Sequence, residues 1–252
     1  MIPKRIIPIL LINNQDLIKT KKFQYYKYVG DPLNAIKIFN EEEVDELIVI
    51  DIGVSNKSSP DYEYIEKLNN ESFIPFTYGG GIRDINDVDI LLSKGVEKIS
   101  IQSAALQNIK LIEKIANKYG SQSLILSLDY YNHLEHIRLR NVNKKMNFIQ
   151  FESFLNDFIN AGIGELFINN IERDGMKNNQ DYNFIKKLDS FLTVPLISAG
   201  GTKNKKDIIR VFQSGADAVG VGSYFIFYGK FDAVLISYPD KKEVEKISNY
   251  EF

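Results

Sequence analysis

Two short stretches bring together residues suited to holding an anion. "YGGGI", residues 78–82, and "AGGT", residues 199–202, each place a Gly-Gly pair directly after an apolar run. Glycine lets main-chain N–H groups approach an anion that a Cβ would hold off, and a helix N-terminus adds about half a positive charge. Gly80 and Gly81 are followed by Ser103, and Gly200 and Gly201 by Gly222 and Ser223, each serine lying just past the next apolar run. A single Gly-Gly pair is more often only a tight turn. Two copies in register, each with its serine, point instead to a ligand with a phosphate at either end, and Lys19 can add a charge above it.

The elements that must position these residues can be read from eight apolar, β-branched runs: 5–11, 46–52, 74–78, 98–102, 123–129, 165–170, 194–199 and 218–222. Continuous rather than alternating hydrophobicity is what a parallel strand covered on both faces requires. Helices fit between the runs, with starts predicted at Asp31-Pro32, Ser59-Pro60 and Asp84, and glycine stops at Gly95, Gly162 and Gly215. Residues 80–103 align without a gap on 200–223, an offset of 120 residues that superimposes Gly80, Gly81, Asp87, Gly95 and Ser103 on Gly200, Gly201, Asp207, Gly215 and Ser223. Eight βα units also suit a doubly wound sheet. The repeat favours an α/β fold of another kind, a (β/α)8 TIM barrel made of two similar half-barrels, as a single domain over 1–252.

Composition narrows the function classes. The 31 basic and 33 acidic residues give a net charge of −2, so no general field draws nucleic acid or an anionic membrane. The absence of cysteine removes disulfides, thiolate metal sites and cysteine nucleophiles. With no long apolar segment and no leader pattern, a soluble cytoplasmic protein is expected. "HLEH", 133–136, reads as a solvated hairpin rather than a metal site, and no cofactor is expected. "KTKKFQYYKY", 19–28, mixes basic and aromatic residues but reads as a flexible lid over the ligand rather than a nucleic-acid strip. "NEEEVDE", 40–46, reads as a helix end with solvated acids. Asp51 and Asp174 are candidates either for ligand hydroxyls or for structural hydrogen bonds at the barrel mouth.

Arg5, Glu46, Lys98 and Glu165 stand at the starts of four runs, two of each sign, where apolar residues would be cheaper to bury. At its other end the first run finishes in Leu10 and Leu11, where an active site built on strand ends would want a polar group.

With "KRIIP", "GDP", "PFTYGGGI", "KISIQSAA", "GSQSLILSLD", "IERDG", "SAGG" and "SGADAV" spread from residue 4 to 219, the sequence resembles the cyclase subunit of imidazole glycerol phosphate synthase. The resemblance implies a barrel that receives ammonia from a glutaminase docked on its N-terminal face and uses it at the other end. Two aspartates then serve as general base and general acid on a bisphosphorylated ribonucleotide. Asp129 matches the acid, while the base position falls on Leu11. Lys19, Asp174, the glycine pairs, Gly222 and the two serines remain the candidate phosphate or substrate contacts, and Arg5, Glu46, Lys98 and Glu165 match the charged ring through which ammonia enters. Gln102-Ser103 and Asn169-Asn170 depart from the family's usual residues.

Leucine cannot move a proton, and loss of one member of an acid/base pair costs about 10²- to 10⁴-fold. The expectation is therefore an ammonia-channelling subunit with little cyclase activity, serving a separate ATP-dependent amidating enzyme. The resemblance places relatives of this kind in sugar amidation for surface glycans. One alternative is a standard cyclase using Asp129 with Asp16 as substitute base. Another is a phosphosugar-binding barrel without a glutaminase.

Overall fold

The computed structural model describes residues 4–54, 59–133 and 136–250. Eight parallel strands form the barrel: β1 Arg5–Asn13, β2 Leu47–Asp51, β3 Phe76–Gly79, β4 Lys98–Ile101, β5 Leu124–His133, β6 Glu165–Asn170, β7 Leu196–Ala199 and β8 Ala218–Val221. Each pairs with its sequence neighbours, β1 pairs with β8 (Arg5 opposite Ala218), and β5 pairs with β6 over six residues, so the cylinder closes without an edge. The two half-barrels expected from the repeat are β1–β4 and β5–β8.

The first strand shows why the runs are continuous. Ile7 and Ile9 join Ile48, Ile125, Phe167, Ile197, Ala199 and Ala218 in a small core inside the barrel, whereas Ile6, Leu10 and Ile12 join the larger core between strands and helices. Both faces of a barrel strand are buried, and successive side chains alternate between the two cores. Leu11 and Ile50 pack on top of the inner core.

Helix ends follow the expected local chemistry with one correction. Asp31 accepts from the Leu33 N–H ahead of Pro32, Asp84 forms a reciprocal capping box with Asp87, and Gly162 ends the helix Phe148–Ala161 at φ 103°. The helix expected from Ser59-Pro60 begins instead at Tyr62, because the Asp61 carboxylate accepts from the Tyr64 N–H and caps it.

Three additions extend the barrel, of which the sequence had indicated only the second. The loop after β1 is not simply a lid segment but an antiparallel hairpin, Asp16–Lys21 with Tyr25–Gly30. It sits on the loop after β6, where Thr20 Oγ1 donates to Asp174 Oδ2 at 2.8 Å and the Lys22 N–H donates to the Asp174 carbonyl at 3.0 Å. β5 runs on past the barrel and pairs with His136–Leu139, so the hairpin expected at "HLEH" is present, with Leu134 and Glu135 of its turn outside the described residues. A final helix, Lys241–Ser248, packs beside Lys205–Gln213, with a Lys205–Glu243 ion pair between them. No helix among the described residues is long and apolar enough to cross a membrane.

Candidate functional site

At the C-terminal ends of the strands lies a cavity of about 700 Å³. Its wall brings together Leu11 from β1, Gly80 and Gly81 after β3, Ser103 after β4, Asp129 from β5, Asp174 after β6, Gly200 and Gly201 after β7, and Gly222 and Ser223 after β8, with Lys19 and Asp51. Every residue expected at a ligand site is therefore at one mouth.

The two Gly-Gly turns are required by the backbone as well as suited to a ligand. Gly80 has φ 126° and a Cβ there would lie 2.3 Å from the Asp51 carbonyl oxygen. Gly200 has φ 91°, with a Cβ 2.7 Å from the Asn170 carbonyl oxygen. Ser103 and Ser223 each open a short helix, Ser103–Gln107 and Ser223–Ile226, and Gln102 belongs to the turn before the first of these rather than to β4. Lys19 lies deeper than expected. It is buried in the hairpin, its Nζ donates to the Ile9 carbonyl at 2.6 Å, and a Cβ on Gly222 would lie 3.1 Å from that nitrogen. Burial lowers its pKa to about 8 against the opposing pull of Asp174.

Asp129 faces the cavity as the last inward residue of the barrel part of β5. Burial pushes its carboxyl up to about 6, and Asp174 adds to this, while Arg140 and hydrogen bonds from Gln102 and Asn169 oppose it. A carboxyl of that pKa can hold and release a proton near neutrality. It also weakens the fold. An Asp whose proton is held more tightly in the native state contributes stability that is complete below the unfolded value near 3.8 and is lost as pH rises through about 6. Asp129→Asn is therefore expected to be more stable than the unsubstituted protein by about 1–3 kcal/mol at pH 8, with the gap closing below pH ~4. Urea denaturation across pH checks this, and equal stabilities at pH 8 would contradict it.

Asp51 spends its Oδ1 on the Gly53 and Val54 N–H groups, which favours the structural role weighed for it, although it also lines the mouth. Asp16 is exposed at the start of the hairpin and outside the cavity wall, so it is not placed beside Asp129 as the alternative of a substitute base would need. Sequence reasoning missed Arg140, Arg83 and Lys177, which line the cavity together with Phe23 of the expected lid stretch 19–28. The Arg140 guanidinium lies 4.9 Å from the centre of the Phe23 ring, joining the two hairpins across the mouth. The alternating pattern of "HIRLR" was the available signal.

At the opposite end of the barrel the four charged residues meet. Arg5 bonds to Glu46 at 2.6 Å and to Glu165 at 2.6 Å, and Lys98 bonds to Glu46 at 3.1 Å and to Glu165 at 2.7 Å. Signs alternate around the ring, each carboxylate lying between two cations. Thr77 completes the ring by donating to Glu46 Oε1 at 3.0 Å, and it too was missed. Contrary to the reading of residues 40–46 as solvated acids, the Glu46 side chain is only 3% exposed. Burial alone would raise the Glu165 carboxyl, but the hydrogen bonds and charge of Arg5, with the charge of Lys98, hold it below its ordinary value. Among the described residues, no three His, Cys, Asp or Glu side chains converge as they would on a metal.

The family described as "Histidine biosynthesis protein" matches residues 5–232. A Pseudomonas aeruginosa protein, provisionally named imidazole glycerol phosphate synthase subunit hisF2, is 42% identical over 97% of this chain and 99% of its own length. The imidazole glycerol phosphate synthase subunit HisF of Leptospira biflexa is 35% identical over 90% of this chain and 91% of its own. That of Staphylococcus aureus is 32% identical over 88% and 90%. Barrel, mouth and sequence agree, and the chain belongs to the histidine biosynthesis protein family, among its HisF-like imidazole glycerol phosphate synthase subunits.

Proposed function

We propose that this barrel is the synthase-side subunit of a glutamine amidotransferase complex. A glutaminase docks on the N-terminal face, ammonia enters past Arg5, Glu46, Lys98 and Glu165, and it leaves at the mouth without being used in a cyclisation. A separate ATP-dependent enzyme then uses it to amidate a sugar in surface-glycan assembly. The observation that carries this reading is Leu11. It extends the apolar stack of Ile9 and Ile50 to the mouth, at the position the family resemblance assigns to the general base, while a closed ring of four charges remains below.

Each group has a role in this reading. Lys19, the two glycine pairs, Ser103, Gly222, Ser223 and Asp174 hold a phosphorylated small molecule across the mouth. Asp129, at the acid position, lacks a proton-transfer partner. The word "subunit" in the names of the relatives supports a partnered role, and the exposed position of Asp16 counts against a substitute base.

The test is reconstitution with the partner glutaminase and amide-labelled glutamine. Hydrolysis is expected to rise on contact, and the label should reach an added amidating enzyme's product while the bisphosphorylated ribonucleotide of histidine biosynthesis stays unchanged. Failure to stimulate any glutaminase would sink the reading in favour of a barrel that only binds phosphosugars. Asp16→Asn is expected to behave as the unsubstituted protein in every assay.

A further inference from the structure

The internal repeat extends further than the two glycine loops. Asp61 and Asp181, 120 residues apart, cap equivalent helices that begin at Tyr62 and Tyr182. Within this frame Asp87 and Asp207 are both buried, at 7% and 2% exposure, and each grips the backbone just beyond its Gly-Gly turn. Asp87 Oδ2 accepts from the Arg83 N–H at 2.7 Å, and Asp207 Oδ2 accepts from the Lys203 N–H at 2.9 Å.

The second oxygen is served differently in the two halves. In the first, the Tyr62 hydroxyl donates to Asp87 Oδ1 at 2.5 Å. In the second, Tyr182 occupies the equivalent position, yet its hydroxyl and Asp207 Oδ1 are both buried without a close partner. The residue two places before each tyrosine also differs, Pro60 in the first half and Gln180 in the second. The Gln180 side chain braces the second loop, donating to Thr202 Oγ1 at 2.8 Å and accepting from Ser198 Oγ at 2.6 Å. Its counterparts in the first half are Pro60, Tyr78 and Ile82, which carry no such network.

We infer that Asp87 and Asp207 are positioning residues that hold the two anion cradles in shape, and that Tyr62 locks only the first whereas Gln180 locks the second. Neither aspartate faces the cavity; each acts through the main chain of its own glycine turn. This rests on the phosphate reading of the site and adds which residues fix each cradle. The Tyr182 hydroxyl plays no part in it.

The test uses inorganic phosphate as probe and follows the amide resonances of Gly80, Gly81, Gly200 and Gly201 by NMR, so that the two cradles are read separately in the full chain. Loss of a charged hydrogen bond that shapes a site is worth about tenfold in affinity. Asp87→Ala and Tyr62→Phe are expected to weaken phosphate at the first cradle by about tenfold and about threefold, leaving the second unchanged. Asp207→Ala should do the reverse, and Gln180→Ala should weaken the second cradle alone. Asp87→Asn, which keeps an acceptor for the Arg83 N–H, should stay within about threefold of the unsubstituted protein. Tyr182→Phe should shift neither cradle. If Asp87→Ala or Asp207→Ala does not fold, Tyr62→Phe and Gln180→Ala carry the same contrast. If Asp87→Ala, Asp207→Ala, Tyr62→Phe or Gln180→Ala shifts both cradles equally, or neither, the inference is overturned. Absence of binding at both cradles in the unsubstituted protein contradicts the phosphate reading itself, and this inference falls with it.

Discussion

Leu11→Asp is expected to turn over the bisphosphorylated ribonucleotide of histidine biosynthesis, with free ammonia, about 10²- to 10⁴-fold faster than the unsubstituted protein. The position is already built for it. Leu11 is held by pairing with Ile50 on one side and with Ile18 of the hairpin on the other, and its side chain lines the same cavity as Asp129. An aspartate there would stand beside Ile9 and Ile50 and share the mouth with a second carboxyl. Burial raises the pKa of Asp129, and a base that must be ionised working with an acid that must be protonated should give a bell-shaped pH profile. The lost apolar contact should cost about 1–2 kcal/mol of stability, which the barrel can absorb. A folded Leu11→Asp protein without any gain would mean that the departure from the family's chemistry is not confined to this position.

The second large effect concerns the ring. Glu165→Ala is expected to lose about 3–5 kcal/mol, because Arg5 and Lys98 would then face each other with only Glu46 between them. Equilibrium unfolding at pH 7 measures this. The Glu165 carboxyl is held below its ordinary value, so its contribution is present above about pH 4.5 and is lost as pH falls through the lowered native value. Replacing all four charges with apolar residues of similar volume should recover most of that stability, since a buried ion network is often no better than a packed apolar one. In the same variant, glutamine-driven nitrogen delivery should fall sharply while delivery from free ammonia persists. Equal delivery from both sources would show that ammonia does not pass the ring.

The fold was legible because a barrel strand is buried on both faces, and β1 and β2 announce themselves as near-continuous apolar runs. The 120-residue repeat then told a closed barrel from an open sheet. The Gly-Gly turns and their serines were legible because only a few residue types fit a left-handed turn at a cavity wall. The hairpin after β1 was not: "KTKKFQYYKY" lacks a glycine turn, and Lys22 and Phe23 adopt positive φ without one. Burial of Lys19 could not be read either, because it depends on a carbonyl of β1 and on the missing side chain of Gly222. Arg140 and Thr77 were missed for the same reason, since their partners, Phe23 and Glu46, lie far away in the sequence. Leu11 was the exception, a single apolar residue at a strand end whose proposed meaning came from the family resemblance alone.

The central claim is that ammonia crosses this barrel and is not consumed in it. The most direct measurement is turnover of the histidine-pathway ribonucleotide by the purified, unsubstituted protein with saturating free ammonia, followed by product formation. The account predicts no turnover above the uncatalysed background. Turnover at the rate of an ordinary cyclase, with Asp129→Asn abolishing it, would contradict it.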